Sequence, residues 1–327
     1  MAEIFYFCGH EQFQPEDIVK HAVAAEKYGF EGVMVSEHFN PWVADYGHGG
    51  FALSTLGAIA MQTSKIKIIT GVITPLFRYH PAIIAQAAAT IDRLSNGRFM
   101  LGLGTGEMIN EVPLGFEFPN YNERSERMIE AIEIIQKLLK GEKITYEGKY
   151  YKTNSAKLYS PPKHKIPIYL AANGPKSTIL AQNMVDGIIT SVKNIKDTKT
   201  NVLNKALEQS EKTSTKLKSI FATKWSVYAK NKDDAFNALL PWRGLRVPSR
   251  NIVFDPEILE KEANNLSREE ILDNYTIVSS IEEYIQLYKP LIKELNADYI
   301  AIQTTSLNQM ETIKMLGEKV IAELKKI

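Results

Sequence analysis

The amino-acid sequence predicts an α/β protein, a (β/α)8 TIM barrel with insertions. Three observations carry that expectation. Short apolar runs bounded by turn residues alternate with helical patterns along nearly the whole chain. Counting them gives eight strand–helix units, and no shift in composition marks a linker. A length of 327 residues exceeds the usual single domain but suits an α/β barrel. Repeated strand–helix alternation implies a parallel sheet with right-handed crossovers, most simply closed into a barrel, with an open doubly wound sheet as the alternative. One domain spanning 1–327 is therefore expected, with insertions near 143–162 and 239–274.

Each element has a local reason. Ile4–Cys8 is a short apolar run, followed by a helical pattern over Pro15–Tyr28 that Gly29 stops. A second apolar run occupies about residues 32–36. A glycine-rich loop (Gly47, Gly49, Gly50) leads to a helix from about Leu53 to Thr63. Ile66–Thr70 reads as the third strand. Pro81 opens a helix reaching Leu94, and Ser95-Asn96-Gly97 closes it before the strand Phe99–Leu103. A helix over roughly Arg124–Leu139 is followed by a surface β-excursion within Lys143–Pro162. Alternation resumes with Ile168–Ala171, a helix from about Lys176, and Gly187–Thr190. A long polar helix and a strand within Ser219–Ala229 come next, then an irregular stretch with helical patches over roughly Leu239–Asn274. Helix Ser280–Leu295, strand Asp298–Ile302 and helix Asn308–Lys326 complete the pattern.

Composition narrows the functional classes. Hydrophobic residues make up 44% of the chain, enough for a substantial core, and a net charge of +1 gives no basis for binding nucleic acid or an anionic membrane. The single cysteine, Cys8, excludes an intrachain disulfide and a cysteine-rich metal site. Histidines at 10, 21, 38, 48, 80 and 164 form no His-x-x-x-His pair, so no metal is expected. P-loop and Gly-x-Ser-x-Gly signatures are absent. No apolar stretch reaches bilayer length and the N-terminus lacks a secretory pattern, so a soluble, cytoplasmic protein acting on a small molecule is expected.

Two strand exits carry chemistry. Ser36-Glu37-His38-Phe39-Asn40-Pro41-Trp42 places a carboxylate, an imidazole and an indole where the second strand ends. Imidazole passes protons near neutral pH, a carboxylate beside it can orient it, and an indole can wall off a flat ligand. A capped turn with a surface His and a packing Trp is the plainer alternative. The second exit, Gly102-Leu103-Gly104-Thr105-Gly106-Glu107, resembles a dinucleotide fingerprint but fails it. Glu stands where the third glycine belongs, and Pro113 and Gly115 interrupt any immediate helix. It reads better as a strand exit whose missing side chains let a flat ligand approach, with Glu107 aimed into the barrel mouth. A Glu107 paired with an arginine at the core rim is the alternative.

These exits resemble the deazaflavin-dependent branch of the luciferase-like barrel family, in the subgroup that holds the coenzyme F420-dependent glucose-6-phosphate and secondary alcohol dehydrogenases. The matching stretches are Glu11-Gln12-Phe13, residues 36–42, Thr74-Pro75-Leu76-Phe77-Arg78-Tyr79-His80-Pro81-Ala82, residues 104–111 and Ala171-Ala172-Asn173-Gly174-Pro175. They fall in order on the exits of the first five strands. The resemblance implies coenzyme F420 as cofactor, a homodimer, and a hydride passing from a hydroxyl-bearing carbon to C5 of the deazaflavin. It implies His38 as the base for the substrate hydroxyl, Glu107 as the acid for the deazaflavin ring nitrogen, Trp42 lining the reacting centre and Glu11 beneath it. A base and an acid on opposite sides of a hydride acceptor would keep both half-reactions neutral. It further implies that Glu37, His38, Thr74, Gly106, Glu107 and Asn110 hold the cofactor. Gly71-Val72 would form a bulge behind it, commonly a cis peptide, and Asn173-Gly174-Pro175-Lys176-Ser177 would meet its phosphodiester or tail.

The sequence also departs from the family. Glu37 stands where the family has Asp, one methylene longer. Of the cations that hold the sugar phosphate, Lys193 matches one, Arg250-Asn251 replaces a Lys-His pair, and Asn274 replaces an arginine. With Trp42, these form the expected substrate set. Between Ala235 and Phe254 there is no acidic residue, while Arg243, Arg246 and Arg250 occur there. Converging guanidinium groups would suit a phosphate, and three arginines on a solvated loop are the alternative. A sugar phosphate such as glucose 6-phosphate leads as substrate, ahead of a secondary alcohol. A flavin-dependent monooxygenase and a non-catalytic ligand-binding barrel remain as further readings.

Overall fold

The computed structural model describes residues 1–214, 217–273 and 275–327. Eight parallel strands form a closed ring. They are β1 (Glu3–Cys8), β2 (Gly32–Val35), β3 (Lys67–Thr70), β4 (Phe99–Leu103), β7 (Ile168–Ala171), β8 (Gly187–Ser191), β9 (Ile220–Tyr228) and β11 (Tyr299–Ser306). β1 lies between β11 and β2, with Phe5 opposite both Ala301 and Gly32. Pairing of β8 with β9, Ile188 opposite Ile220, closes the ring and leaves the open-sheet alternative aside. The antiparallel pair β5 (Ile144–Glu147) and β6 (Lys152–Ala156) forms the surface excursion.

Side chains fill the ring's interior, including Phe5, Met34, Ile69, Tyr169 and Phe221. The Phe5 ring meets that of Phe221 edge-on, with centroids 4.8 Å apart. Gly32 is required by this packing, because a Cβ there would lie 1.9 Å from the Phe5 ring. A second, larger apolar layer joins the outer faces of the strands to the helices.

The helices follow the sequence signals closely. α1 (Pro15–Lys27) begins with proline in its first turn and ends before Gly29, whose φ is 91°. α2 (Ala52–Gln62) and α3 (Pro81–Ser95) stand side by side, and Asn96 closes α3 in the left-handed region. A one-turn helix α4 (Met108–Glu111) follows β4. The next helix, α5 (Tyr121–Leu139), starts three residues before the expected Arg124, because the Asn120 side chain accepts from the N–H groups of Asn122 and Glu123. α6 (Pro175–Met184) follows β7.

Three further differences from expectation occur late in the chain. β11 runs to Ser306 rather than Ile302, because it pairs with β9 along its whole length. A two-residue strand, β10 (Ile277–Val278), adds to β9 and is too short for sequence periodicity to show. The last helix contains a π-helical segment, Leu316–Ile321. The stretch over 239–274 holds short helices around its own apolar cluster, which includes Trp42, Trp242 and Leu259. Among the described residues, no helix is long and apolar enough to cross a membrane.

Candidate active site

The parallel strands deliver their C-terminal exits to one end of the ring, and a cavity of about 610 Å³ opens there. Every position expected to hold the cofactor lines it, from Glu37 and His38 on the β2 exit to Asn173 and Gly174 on the β7 exit. Glycines form part of its wall. A Cβ at Gly104 would lie 2.5 Å from the Val72 side chain, so backbone rather than side chain faces the cavity there. The Gly71-Val72 peptide is cis.

His38 lies between two carboxylates. Its Nε2 is 3.3 Å from Glu11 Oε1 and 3.5 Å from Glu107 Oε2. The two differ sharply in exposure: the Glu11 side chain is 5% accessible, that of Glu107 53%. The expected base and the expected acid thus lie within direct reach of each other. The neighbour of Glu107 is the His38 imidazole, not an arginine at the core rim. The buried Trp42 indole sits with its ring centroid 5.4 Å from that of the His38 imidazole.

Glu37 is held from two directions. Arg78 Nη2 donates to Oε2 and the Tyr79 hydroxyl donates to Oε1, both at 2.6 Å. Arg78 is itself buried and also faces Glu111, with Nε 3.8 Å from Oε1. Glu111 has no accessible surface, and neither of its carboxylate oxygens has a hydrogen-bond partner. Burial pushes its pKa up to about 7, partly opposed by the Arg78 charge. Asn110 fixes the β2 exit by accepting the Phe39 N–H at 2.9 Å. At the far wall Asn173 Oδ1 accepts the Ser191 N–H at 2.8 Å. No side chain caps the start of α6, whose first residues line the cavity. Tyr121 lines it too, and its hydroxyl is buried without a partner.

The expected substrate set is more dispersed. Lys193 and Asn251 are exposed and Arg250 is half-buried; none of the three lines the cavity. Asn274 lies outside the described residues. Two of the insertion's three arginines are engaged by neighbouring side chains. Arg243 pairs with Glu260, which also accepts the N–H groups of Ala44 and Asp45 at 2.9 Å, and Arg246 stacks over the Tyr275 ring at 4.2 Å. They serve to attach the insertion to the β2 exit and to pack it. The insertion contributes an indole that sequence reasoning missed: Trp242 packs edge-on against Trp225 at 4.6 Å, and its Nε1 donates to Gln12 Oε1 at 2.9 Å. Ser36, Arg78, Tyr79 and Glu111 were also missed as site residues. The signal available for Arg78 was a lone charge within an aromatic strand exit, Leu76-Phe77-Arg78-Tyr79. Among the described residues, no group of three or more His, Cys, Asp or Glu could hold a metal ion.

The family model described as luciferase-like monooxygenase matches residues 2–277. An F420-dependent glucose-6-phosphate dehydrogenase from Microbacterium testaceum (strain StLB037) is 35% identical over 327 residues, covering 98% of this chain and 97% of that protein. An enzyme of the same name from Nakamurella multipartita is 33% identical, covering 98% and 96%. Among solved structures, an F420-dependent secondary alcohol dehydrogenase in complex with an F420-acetone adduct superposes with a TM-score of 0.88. It is 31% identical and covers 98% of both chains.

Glu111 generates a stability prediction. Its folded pKa, about 7, lies above the ordinary 4.5. As pH rises, the unfolded chain gives up this proton first, so stability is lost through that window and stays lost above it. Glu111→Gln should therefore raise the melting temperature relative to wild type at about pH 8 and change it little at about pH 4. Thermal melts at both pH values check this, and an equal difference at the two would count against a buried, proton-holding carboxylate.

Proposed function

The chain belongs to the luciferase-like monooxygenase family, and we propose that it is a coenzyme F420-dependent dehydrogenase acting on a hydroxyl-bearing carbon. The observation that carries this reading is the contact of His38 with both a buried and an exposed carboxylate at a glycine-walled cavity. The residues present fit the group. The glycine wall admits a flat ring, and the uncapped start of α6 and the unpartnered Tyr121 hydroxyl offer donors to an anionic tail. When bound, coenzyme F420 supplies the hydride acceptor. His38 Nε2 takes the proton from the substrate hydroxyl, and the buried Glu11 carboxylate stabilises the resulting imidazolium. Glu107, exposed in the cavity and tied, among the described residues, only to His38, holds the proton delivered to the cofactor side. Trp42 excludes water beside the imidazole. Glu37, tied to Arg78 and Tyr79, lies at the cofactor edge in place of the family's Asp.

A sugar phosphate such as glucose 6-phosphate ranks first as substrate, supported by the names of the full-length relatives and by the retained Lys193 and Arg250. A secondary alcohol ranks second, supported by the structural neighbour and by the indoles of Trp42, Trp225 and Trp242. A cytoplasmic location accords with a small-molecule enzyme of this kind. A homodimer is supported by the outer faces of α2 and α3. Neither residues 51–62 nor 81–91 contain a charge, Phe51, Met61 and Ile83 are exposed there, and a groove between the helices runs past Gly57 and Ala87. A charge-free face matches a second copy of itself about a two-fold axis.

Four expected outcomes follow from these assignments. Titration should show much tighter binding of F420 than of FMN. His38→Ala should lower turnover by roughly 10²–10⁴-fold while leaving cofactor affinity largely intact. Tight FMN binding without F420 binding moves the assignment to the monooxygenase class, and wild-type turnover removes His38 from the chemistry. Each charge-assisted phosphate contact contributes roughly 1.5–3 kcal/mol. Lys193→Ala and Arg250→Ala should therefore each weaken use of a phosphorylated substrate about tenfold or more and spare an unphosphorylated one; equal effects on both favour the alcohol. Finally, a Cβ at Gly57 would meet nothing within 4 Å, so Gly57→Trp should fold yet split the dimer in light scattering. A wild-type monomer would end the dimer assignment.

A further inference from the structure

We propose that Ser36 is a positioning residue for the Glu11–His38 pair, its hydroxyl fixing which carboxylate oxygen faces the imidazole. The inference rests on the dehydrogenase reading above and extends it to a residue that touches neither the cavity nor any reacting atom. Ser36 is the first residue beyond β2 and is 2% accessible. Its backbone N–H continues the β1–β2 ladder by donating to the Cys8 carbonyl at 3.0 Å. The side chain is therefore aimed by the barrel wall rather than by a loop.

The surrounding bonds leave the hydroxyl a single orientation. Ser36 Oγ accepts the His10 N–H at 2.9 Å, and it lies 2.5 Å from Glu11 Oε2. A hydroxyl has one proton, and a carboxylate can only accept. The Ser36 proton therefore goes to Glu11 Oε2, and Oε1 is left to face His38 Nε2 at 3.3 Å. His10 keeps this arrangement in register. Its Nδ1 lies 2.7 Å from the Ser36 carbonyl oxygen, which can only accept, so Nδ1 carries the hydrogen; Nε2 lies 3.0 Å from Thr55 Oγ1, whose single proton the Phe51 carbonyl also attracts at 3.2 Å. Burial lowers the His10 pKa, which favours this neutral, singly protonated ring. The ring packs where Gly50 has no side chain, since a Cβ there would lie 2.4 Å from it.

The consequence is a division of labour between two similar groups. Glu11 and Glu107 both approach the same imidazole nitrogen, at 3.3 and 3.5 Å. Only Glu11 has its second oxygen tied to a rigid donor. It stays with the imidazole, while Glu107, half exposed and otherwise untied, is the one able to turn toward the cofactor. Without the Ser36 proton, the Glu11 carboxylate rotates freely and its alignment with His38 is lost.

The test is a double-mutant cycle read in two ways. Ser36→Ala should lower kcat about tenfold, with substrate KM and F420 affinity within about twofold of wild type. In a Glu11→Gln background Ser36→Ala should cost little more, because the two act as one unit. The second reading needs neither substrate nor cofactor: in histidine-labelled protein, Ser36→Ala should displace the ring signals of His38 in the same direction as Glu11→Gln. Equal kcat losses in both backgrounds would overturn the proposal, as would unchanged His38 ring signals. If Ser36→Ala does not fold, Ser36→Cys, which fills the site with a far poorer donor, takes its place in both measurements. If wild type reduces F420 with no hydroxyl substrate, the dehydrogenase reading falls, and the ring signals still decide the role of Ser36.

Discussion

One buried guanidinium holds the cavity's near wall together. Arg78 leaves the β3 exit and sits between Glu37 on the β2 exit and Glu111 on the β4 exit, and it also donates to the Asn110 carbonyl at 3.3 Å. Three consecutive strand exits, which share no sheet ladder at these positions, are joined through a single cation. Removing a buried partner of this kind leaves uncompensated charge behind, and such losses typically cost about 3–5 kcal/mol. Glu37, Asn110 and the residues between them are thus held where the cavity needs them by electrostatics the barrel wall cannot supply. The arrangement carries a cost of its own. Two carboxylates face one cation, and burial, with the Glu37 charge adding to it, holds the Glu111 proton toward neutral pH.

The barrel was legible in the sequence because its signals are local. Apolar runs, proline at helix starts and Asn-Gly at helix ends each act within a few residues, and the ring closes through eight such units. What remained illegible depends on distance across the ring. Nothing in residues 36–42 or 104–111 announces that His38 and Glu107 touch, since the span of the barrel mouth sets that separation. Arg243 and Arg246 read as phosphate-facing because no acid lies near them in sequence, yet Glu260 and Tyr275 lie near them in space. The early start of α5 was the reverse case. Asn120 with Glu123 three residues later is a local capping pattern, legible in the sequence itself.

The insertion over 239–274 is anchored chiefly at one edge. Glu260 binds Arg243 and the backbone of Ala44 and Asp45, and Gly244 packs so closely on the Trp42 carbonyl that a Cβ would lie 1.8 Å from it. This contact makes Trp42 part of two structures at once, the β2 exit and the insertion's own apolar cluster. The indole beside His38 is therefore oriented by residues more than 200 positions away in sequence.

The two halves of the barrel mouth thus come from separate stretches of chain. The exits of β2 to β7 wall the cavity, whereas the exit of β9 lies under the insertion and its tryptophans. Such a split lets one half drift while the other stays constant. Substitutions among Trp225, Trp242 and their neighbours alter the shape above His38 without touching the glycine wall or the start of α6. A lineage built on this plan could change its diet while keeping its redox partner.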